Sequence, residues 1–457
     1  MQSDKLKIKF KNLDGYVLTP FLLGNGAFAQ VFLCYKEGED KNKTFYAAKT
    51  FKKDSLDKCF LELLHKEIKI LTLLKHNNIM KLITTIETKN NYYVILEYCD
   101  SENLEDFLSN YKKKFNTLPS AKLVRHILEQ LASGLKHIHS YRFIHRDLKL
   151  DNIMITFSNE KLKLVQEKFK LGSAFKNRKS ILDIALKSTR EDSLTININL
   201  KDNERNYFYY DETIIDNKDY FEEIMLLSEI KIIDFGLSNN VDKNGCAKTI
   251  CGNIDTCPPE IVDNLHNKSD NFKYDKTVDI WAFGCIALYL SEGEFPFALE
   301  DNNVEGLQKR LELGQYLISL KSNTLSFEYV DLITRLLQKD NINRVNMDQI
   351  FNHFYFQSPL QNHHLIDIKE INEEFLDKNR EYIVLNINKK ININSIVNKK
   401  NFIKVNEIDS EIFLNYFQTY KKLSEQSQIV VDDINVKWEV VSPSSQAIDF
   451  LSDCELI

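Results

Sequence analysis

Two polar segments constrain this chain most: His145-Arg146-Asp147-Leu148-Lys149-Leu150-Asp151-Asn152 and, 82 positions beyond Asn152, Asp234-Phe235-Gly236. A fold that uses both has to gather a carboxylate, an ammonium, a carboxamide and a second carboxylate. That set suits phosphoryl transfer from a magnesium nucleotide to a hydroxyl. The transition state is loose, so the protein chiefly positions reactants and neutralises charge. Asp147 is placed to accept the proton of an incoming hydroxyl and Lys149 to steady the transferring group. Asn152 and Asp234 offer the hard oxygen donors that magnesium takes.

Such chemistry predicts a phosphate-covering loop and a strand lysine upstream, in that order. Leu23-Gly24-Asn25-Gly26-Ala27-Phe28-Ala29-Gln30-Val31 fits the loop, with Gly24 and Gly26 letting backbone amides approach phosphate oxygens. Phe45-Tyr46-Ala47-Ala48-Lys49-Thr50 reads as a strand that carries Lys49 toward the α- and β-phosphates. The apolar spacing of Leu64, Ile68, Leu71 and Leu74 predicts a helix from about Leu56 to Leu74, and Glu67 on it is placed to pair with Lys49.

With these motifs in order, the chain resembles the eukaryotic protein kinases over about residues 16–356. The resemblance implies an α+β, bilobal protein-kinase fold: a small antiparallel-sheet N-lobe (16–98) and a larger, mainly helical C-lobe (99–356). It makes Asp147, Lys149, Lys49 and Glu67 catalytic residues, ATP and Mg2+ cofactors, and proteins with serine or threonine acceptors the substrates. Tyr93-Val94-Ile95-Leu96-Glu97-Tyr98-Cys99 resembles the strand and hinge, with Leu96 as gatekeeper and the backbone of Glu97 and Cys99 against adenine. Leu23, Gly24, Asn25 and Gly26 would cover the nucleotide, and Val31, Ala47 and Met154 would sandwich the base. Cys257-Pro258-Pro259-Glu260 resembles the end of the activation segment, with Arg344 as the ion-pair partner of Glu260 on the C-lobe. Asp279-Ile280-Trp281-Ala282-Phe283-Gly284 resembles a buried helix beneath it.

Lys149 resembles the serine/threonine class. Within it the chain is most similar to the ULK family of autophagy-initiating kinases, through Gly26-Ala27-Phe28-Ala29, Lys66-Glu67-Ile68-Lys69-Ile70-Leu71 and Leu96-Glu97-Tyr98-Cys99 with Leu104-Glu105-Asp106-Phe107-Leu108. Polo-type kinases share the Phe-Ala feature and stay a rival. Cys251-Gly252-Asn253-Ile254 departs from the pattern, since an amide stands where a hydroxyl is usual. Thr249 is a candidate phosphosite that would pair with Arg146. An inactive pseudokinase scaffold is the alternative, against which the full set of Lys49, Glu67, Asp147, Asn152 and Asp234 argues. A small-molecule kinase of related fold is a third reading, against which Pro259-Glu260 argues.

Composition excludes some classes. A net charge of −6 and a pI near 6.0 argue against binding duplex nucleic acid, which needs a basic surface. No run of 18 apolar residues predicts an integral membrane segment. The eight scattered cysteines fit a reducing cytoplasm or nucleus, and Cys99 and Cys285 read as packing residues.

Three stretches fall outside the expected fold: an N-terminal extension (1–15), an insertion of about 157–229 and a C-terminal tail (357–457). The insertion separates elements that related kinases join within about a dozen residues, and long loops of this kind call for a reason. Its halves carry opposite charge: +6 over Phe157 to Arg190 and −8 over Glu191 to Glu229. The acidic half also holds Tyr207, Phe208, Tyr209, Tyr210, Tyr220 and Phe221. It and the tail are candidate docking sites for regulatory partners, or the insertion is a solvated, lineage-specific addition. In the tail, Ile412, Phe413, Tyr416, Phe417 and Tyr420 lie at helical spacing.

Overall fold

The computed structural model describes residues 11–25, 29–38, 44–99, 102–168, 217–236, 238–240, 254–267, 273–296 and 326–360. Gly26, Thr249, Asn253, the middle of the insertion and the tail beyond residue 360 lie outside them. The chain divides into two compact units: Met1–Phe107 with Asp151–Gly236, and Leu108–Leu150 with Leu237–Ile457.

The first unit is built on a six-stranded antiparallel sheet of β1 (Lys11–Leu13), β2 (Tyr16–Asn25), β3 (Gln30–Lys36), β4 (Tyr46–Lys52), β5 (Leu82–Glu87) and β6 (Asn91–Glu97). Its spatial order is β1-β2-β3-β4-β6-β5. Residues 11–13 of the expected N-terminal extension form the edge strand. They reach β2 through Asp14-Gly15, both at positive φ (47° and 83°), as a two-residue hairpin turn requires. Pro20, which has no N–H to give to the ladder, falls inside the register shift between Leu18 and Leu22. Leu13, Tyr16, Cys34, Ala48, Tyr93 and Ile95 form a buried cluster within this unit.

Helix α1 (Lys58–Leu73) starts where the Asp57 carboxylate accepts the Phe60 N–H at 2.8 Å, replacing one of the donors a helix start leaves unpaired. Leu64, Leu71 and Leu74 are buried, and Glu67 falls on the same three-and-four spacing, so the helix period carries a carboxylate inside with the apolar face. Farther on, β8 (Ile153–Thr156) pairs antiparallel with β9 (Glu229–Ile232), and the ladder ends at Thr156 opposite Glu229. The insertion therefore springs from the end of a strand pair. Its described parts are helices α4 (Asn159–Lys168) and α5 (Lys218–Met225). Val165, Phe221, Ile224 and Met225 are buried, Phe221 stacks on Phe107 with ring centroids 6.2 Å apart, and Lys168 lies 3.8 Å from Glu223.

The second unit is mainly helical, as the resemblance implies for the larger lobe. Helix α3 (Ala121–Ser140), capped by Ser120, turns Leu123, Ile127, Leu128, Leu131, Leu135 and Ile138 inward. Helix α7 (Thr277–Glu292) is buried nearly throughout and packs on α3 and on α8 (Phe327–Leu336). Gly284 makes that approach possible, since a Cβ there would lie 2.8 Å from Leu337 Cδ2 and 2.9 Å from Leu336 Cβ. Cys34, Cys99, Cys257 and Cys285 are all free and buried, consistent with packing. No described helix is long and apolar enough to cross a membrane.

Candidate active site

In the first unit, three of the expected residues form one ionic cluster. β4 pairs with β3 and β6 so that Lys49 stands opposite Val31 and Val94. The Lys49 Nζ donates to Glu67 Oε1 at 2.8 Å and lies 3.4 Å from Asp234 Oδ1. Burial by itself favours the neutral amine, but the two carboxylates outweigh it and hold the Lys49 pKa above its ordinary value. Glu67 moves up as well, because its burial is only partly offset by the Lys49 amine. The cation therefore stays charged while bridging a sheltered carboxylate and an open one: the Asp234 side chain is 48% exposed and Glu67 only 6%.

Asp234 is held at φ 59°, a left-handed conformation in which its Oδ1 accepts the Gly236 N–H at 3.2 Å. Strain of this kind persists only where surrounding structure enforces it. Here the preceding Ile233 N–H donates to the Asn152 carbonyl at 2.9 Å, and Ile232 exchanges backbone bonds with Asn78 and Met80. The same bond puts Asn152 next to the Asp234 segment, although 82 positions separate them in sequence. Among the described residues no group of three or more His, Cys, Asp or Glu side chains could hold a metal. The oxygen donors present still fit magnesium, which keeps several waters and usually takes one or two protein carboxylates beside substrate phosphates.

The expected adenine residues also belong to this unit. Gly24 and Asn25 end β2 opposite Val31 and Gln30, next to Leu23. Ala47 pairs with Leu96, and Met154 bridges to Asn103. Ala47, Leu96 and Cys99 are buried. Glu97 is fixed on three sides: its N–H donates to the Lys81 carbonyl at 2.9 Å, its Oε1 accepts the Lys81 N–H at 2.7 Å, and its Oε2 lies 3.1 Å from Lys231 Nζ. Lys231 was not singled out from the sequence. The available signal was a lysine set between two isoleucines on the short strand Glu229–Ile232.

In the second unit, Asp147 and Lys149 lie on the loop after β7 (Phe143–Ile144), with Lys149 Nζ 3.6 Å from Asp147 Oδ2. Asp279, expected only as part of a buried helix, organises this loop. Its carboxylate accepts the His145 and Arg146 N–H groups, each at 2.9 Å, and lies 2.8 Å from His139 Nε2. Burial would raise the Asp279 pKa, but the His139 hydrogen bond, the nearby imidazoles and the Arg146 N–H hold it below the ordinary carboxylate value. Arg146 sits at φ 71° and its Nη1 donates to the Tyr274 hydroxyl at 2.9 Å. The Ser238 hydroxyl donates to the His145 carbonyl, and β10 (Asn239–Asn240) pairs with β7.

The Glu260 carboxylate, at the start of α6 (Pro259–Asn267), meets the Arg344 guanidinium in a two-pronged contact of 2.8 and 3.0 Å. The expected structural ion pair is therefore formed.

The model of the protein kinase domain matches residues 20–187 and 214–356. The chain belongs to the protein kinase family. The break between the two matched stretches lies inside the expected insertion. Serine/threonine-protein kinase ULK1 of Homo sapiens is 27% identical over 332 residues, covering 73% of this chain and 24% of that protein. Serine/threonine-protein kinase ATG1c of Arabidopsis thaliana is 25% identical over 331 residues, 72% of this chain and 34% of its own length. A serine/threonine-protein kinase of Acanthamoeba polyphaga mimivirus is 28% identical over 344 residues, 75% of this chain and 63% of its own length. The chain thus spans less than two thirds of each of these relatives. The ULK and Atg1 likeness agrees with the subfamily that the motifs resemble.

Proposed function

We propose that this chain transfers the terminal phosphoryl group of magnesium ATP to serine and threonine hydroxyls of proteins. The observation that carries the reading is the Lys49, Glu67 and Asp234 cluster, in which one charged amine is oriented by a buried carboxylate and lies beside an exposed one. A kinase needs both the lysine-glutamate pair and the metal-binding aspartate in place. Lys49 would orient the α- and β-phosphates. Asp234 and Asn152 would hold magnesium, which when bound neutralises charge on the phosphates. Asp147 would take the proton of the acceptor hydroxyl, and Lys149 would offset negative charge on the group in transit. Leu23, Gly24, Asn25, Gly26, Val31, Ala47, Leu96, Glu97, Cys99 and Met154 would bind the nucleotide.

The likeness to ULK1 and ATG1c supports a signalling kinase of the autophagy-initiating type working in the cytoplasm. Thr249 would be phosphorylated and paired with Arg146, displacing the Tyr274 hydroxyl. The insertion and the tail would recruit regulatory proteins. Deleting 157–229 without any change in catalysis, stability or partner binding would reject that role for the insertion.

The direct test is purified protein with labelled ATP, magnesium and a generic serine/threonine substrate, beside Asp147→Asn. The variant should lose roughly 10²- to 10⁴-fold in turnover. Equal labelling by both proteins would reject the assignment of Asp147. Nucleotide binding without transfer in either would favour a scaffold.

A further inference from the structure

We propose that the Thr256 hydroxyl is a positioning group for the loop that carries Asp147 and Lys149. Its Oγ1 donates to the Leu148 carbonyl at 3.1 Å. Thr256 is only 5% exposed, so water does not compete for that oxygen. Leu148 separates Asp147 from Lys149, and its carbonyl belongs to the peptide unit that leads into Lys149. Fixing this oxygen fixes the plane of that peptide, hence the direction in which Lys149 leaves the backbone to lie 3.6 Å from Asp147.

The tether has firm ends. Leu148 is itself 1% exposed, and Thr256 closes the short 3₁₀ turn Ile254–Thr256. Cys257 and Pro259 follow, buried, and Glu260 is gripped by Arg344. A branched Cβ leaves threonine few side-chain rotamers, which suits a single fixed contact. The catalytic loop is thus supported on one side by Asp279, through the amides of His145 and Arg146, and at Leu148 by Thr256. Sequence reading passed over Thr256 because a lone threonine carries no spacing signal.

This inference rests on the kinase reading, and the test separates the two. Thr256→Val keeps the shape and removes the donor, Thr256→Ala removes it with less bulk, and Thr256→Ser restores the hydroxyl. In the full chain, kcat and KM for ATP and for an acceptor peptide are measured beside wild type and Asp147→Asn. Amide hydrogen exchange over residues 146–150 and the thermal midpoint are recorded for each.

Thr256→Val and Thr256→Ala should lower kcat roughly 10- to 100-fold, as misplacement of a reacting group does, with KM for ATP little changed. Exchange in the loop should rise, and Thr256→Ser should recover both properties. Wild-type kcat and exchange in the hydroxyl-free variants would overturn the role, as would a serine variant no better than valine. A wild-type protein that transfers no phosphate would defeat the kinase reading alone. The exchange data would then still decide whether the hydroxyl orders the loop.

Discussion

Arg344 uses every N–H it has. Its Nε donates to the Gln338 carbonyl at 3.1 Å and its Nη1 to Glu260 Oε1 and the Thr277 carbonyl, each at 2.8 Å. Its Nη2 donates to Glu260 Oε2 and the Gln338 carbonyl, each at 3.0 Å, while the guanidinium carbon sits 5.1 Å from the centroid of Trp281. The five donors of the fork are filled. The arginine side chain is fully shielded, and the Glu260 side chain is 16% exposed. Glu260→Leu would therefore strand a guanidinium that water cannot reach, costing about 3–5 kcal/mol. Arg344→Met would leave a carboxylate with some access to water but would also orphan two carbonyls, and its loss should be similar in size. Arg344→Lys should lose less than Arg344→Met, because an ammonium keeps the charge but not the fork. The double variant should be less harmful than the two single losses added, with a coupling of roughly 1–3 kcal/mol. Urea unfolding followed by tryptophan fluorescence measures this, since Trp281 reports on the contact. Single losses below about 1 kcal/mol, or strict additivity, would refute the claim that this is a sheltered, fully satisfied pair.

Gly284→Ala should destabilise the second unit by about 1–3 kcal/mol, read as a lower thermal midpoint, because the added carbon meets Leu336 and Leu337 within 3 Å. Asp279 has a folded pKa below its unfolded one, so its stabilisation is complete above the unfolded carboxylate range and is lost as pH falls through the folded value. Acid unfolding of wild type should steepen there, and Asp279→Asn should flatten that limb. Lys49→Met removes the cation shared by Glu67 and Asp234 and should lower turnover by about 10²-fold or more, measured with labelled ATP. Phe221→Ala should cost about 3–5 kcal/mol if α5 is part of the core, and an unmoved unfolding midpoint would show that it is not.

What could be read from the sequence divides along a physical line. Lys49, Glu67 and Asp234 were legible because their chemistry needs fixed residue types in a fixed order, and the α1 period alone carries Glu67 inward. The Glu260 and Arg344 pair was legible for the same reason. The supports were not. Asp279, Lys231, Tyr274 and Thr256 act by accepting or donating a hydrogen bond to a group between 108 and 134 positions away, and no local pattern encodes such a partner. Asp279 is the plainest case. On a helix whose other residues are almost all apolar, an aspartate announces a buried demand for N–H donors, but only the fold says that His145 and Arg146 supply them.

The insertion shows why a long addition need not disturb this machinery. It enters after Thr156 and returns at Glu229, the paired ends of β8 and β9, so it lengthens a connection and shifts no strand register. A one-residue slip inside either strand would have turned its side chains over, whereas extra chain beyond the last pair does not. The two arms approach where Lys168 of α4 lies 3.8 Å from Glu223 of α5, and Phe221 anchors α5 on Phe107. With the arms this close, further residues add closure entropy only logarithmically, each doubling of length costing about 0.6 kcal/mol. The bond from Ile233 N–H to the Asn152 carbonyl lies at the other end of the same strand pair. The added chain is therefore separated from the expected metal-binding residues by the length of a ladder that it leaves intact.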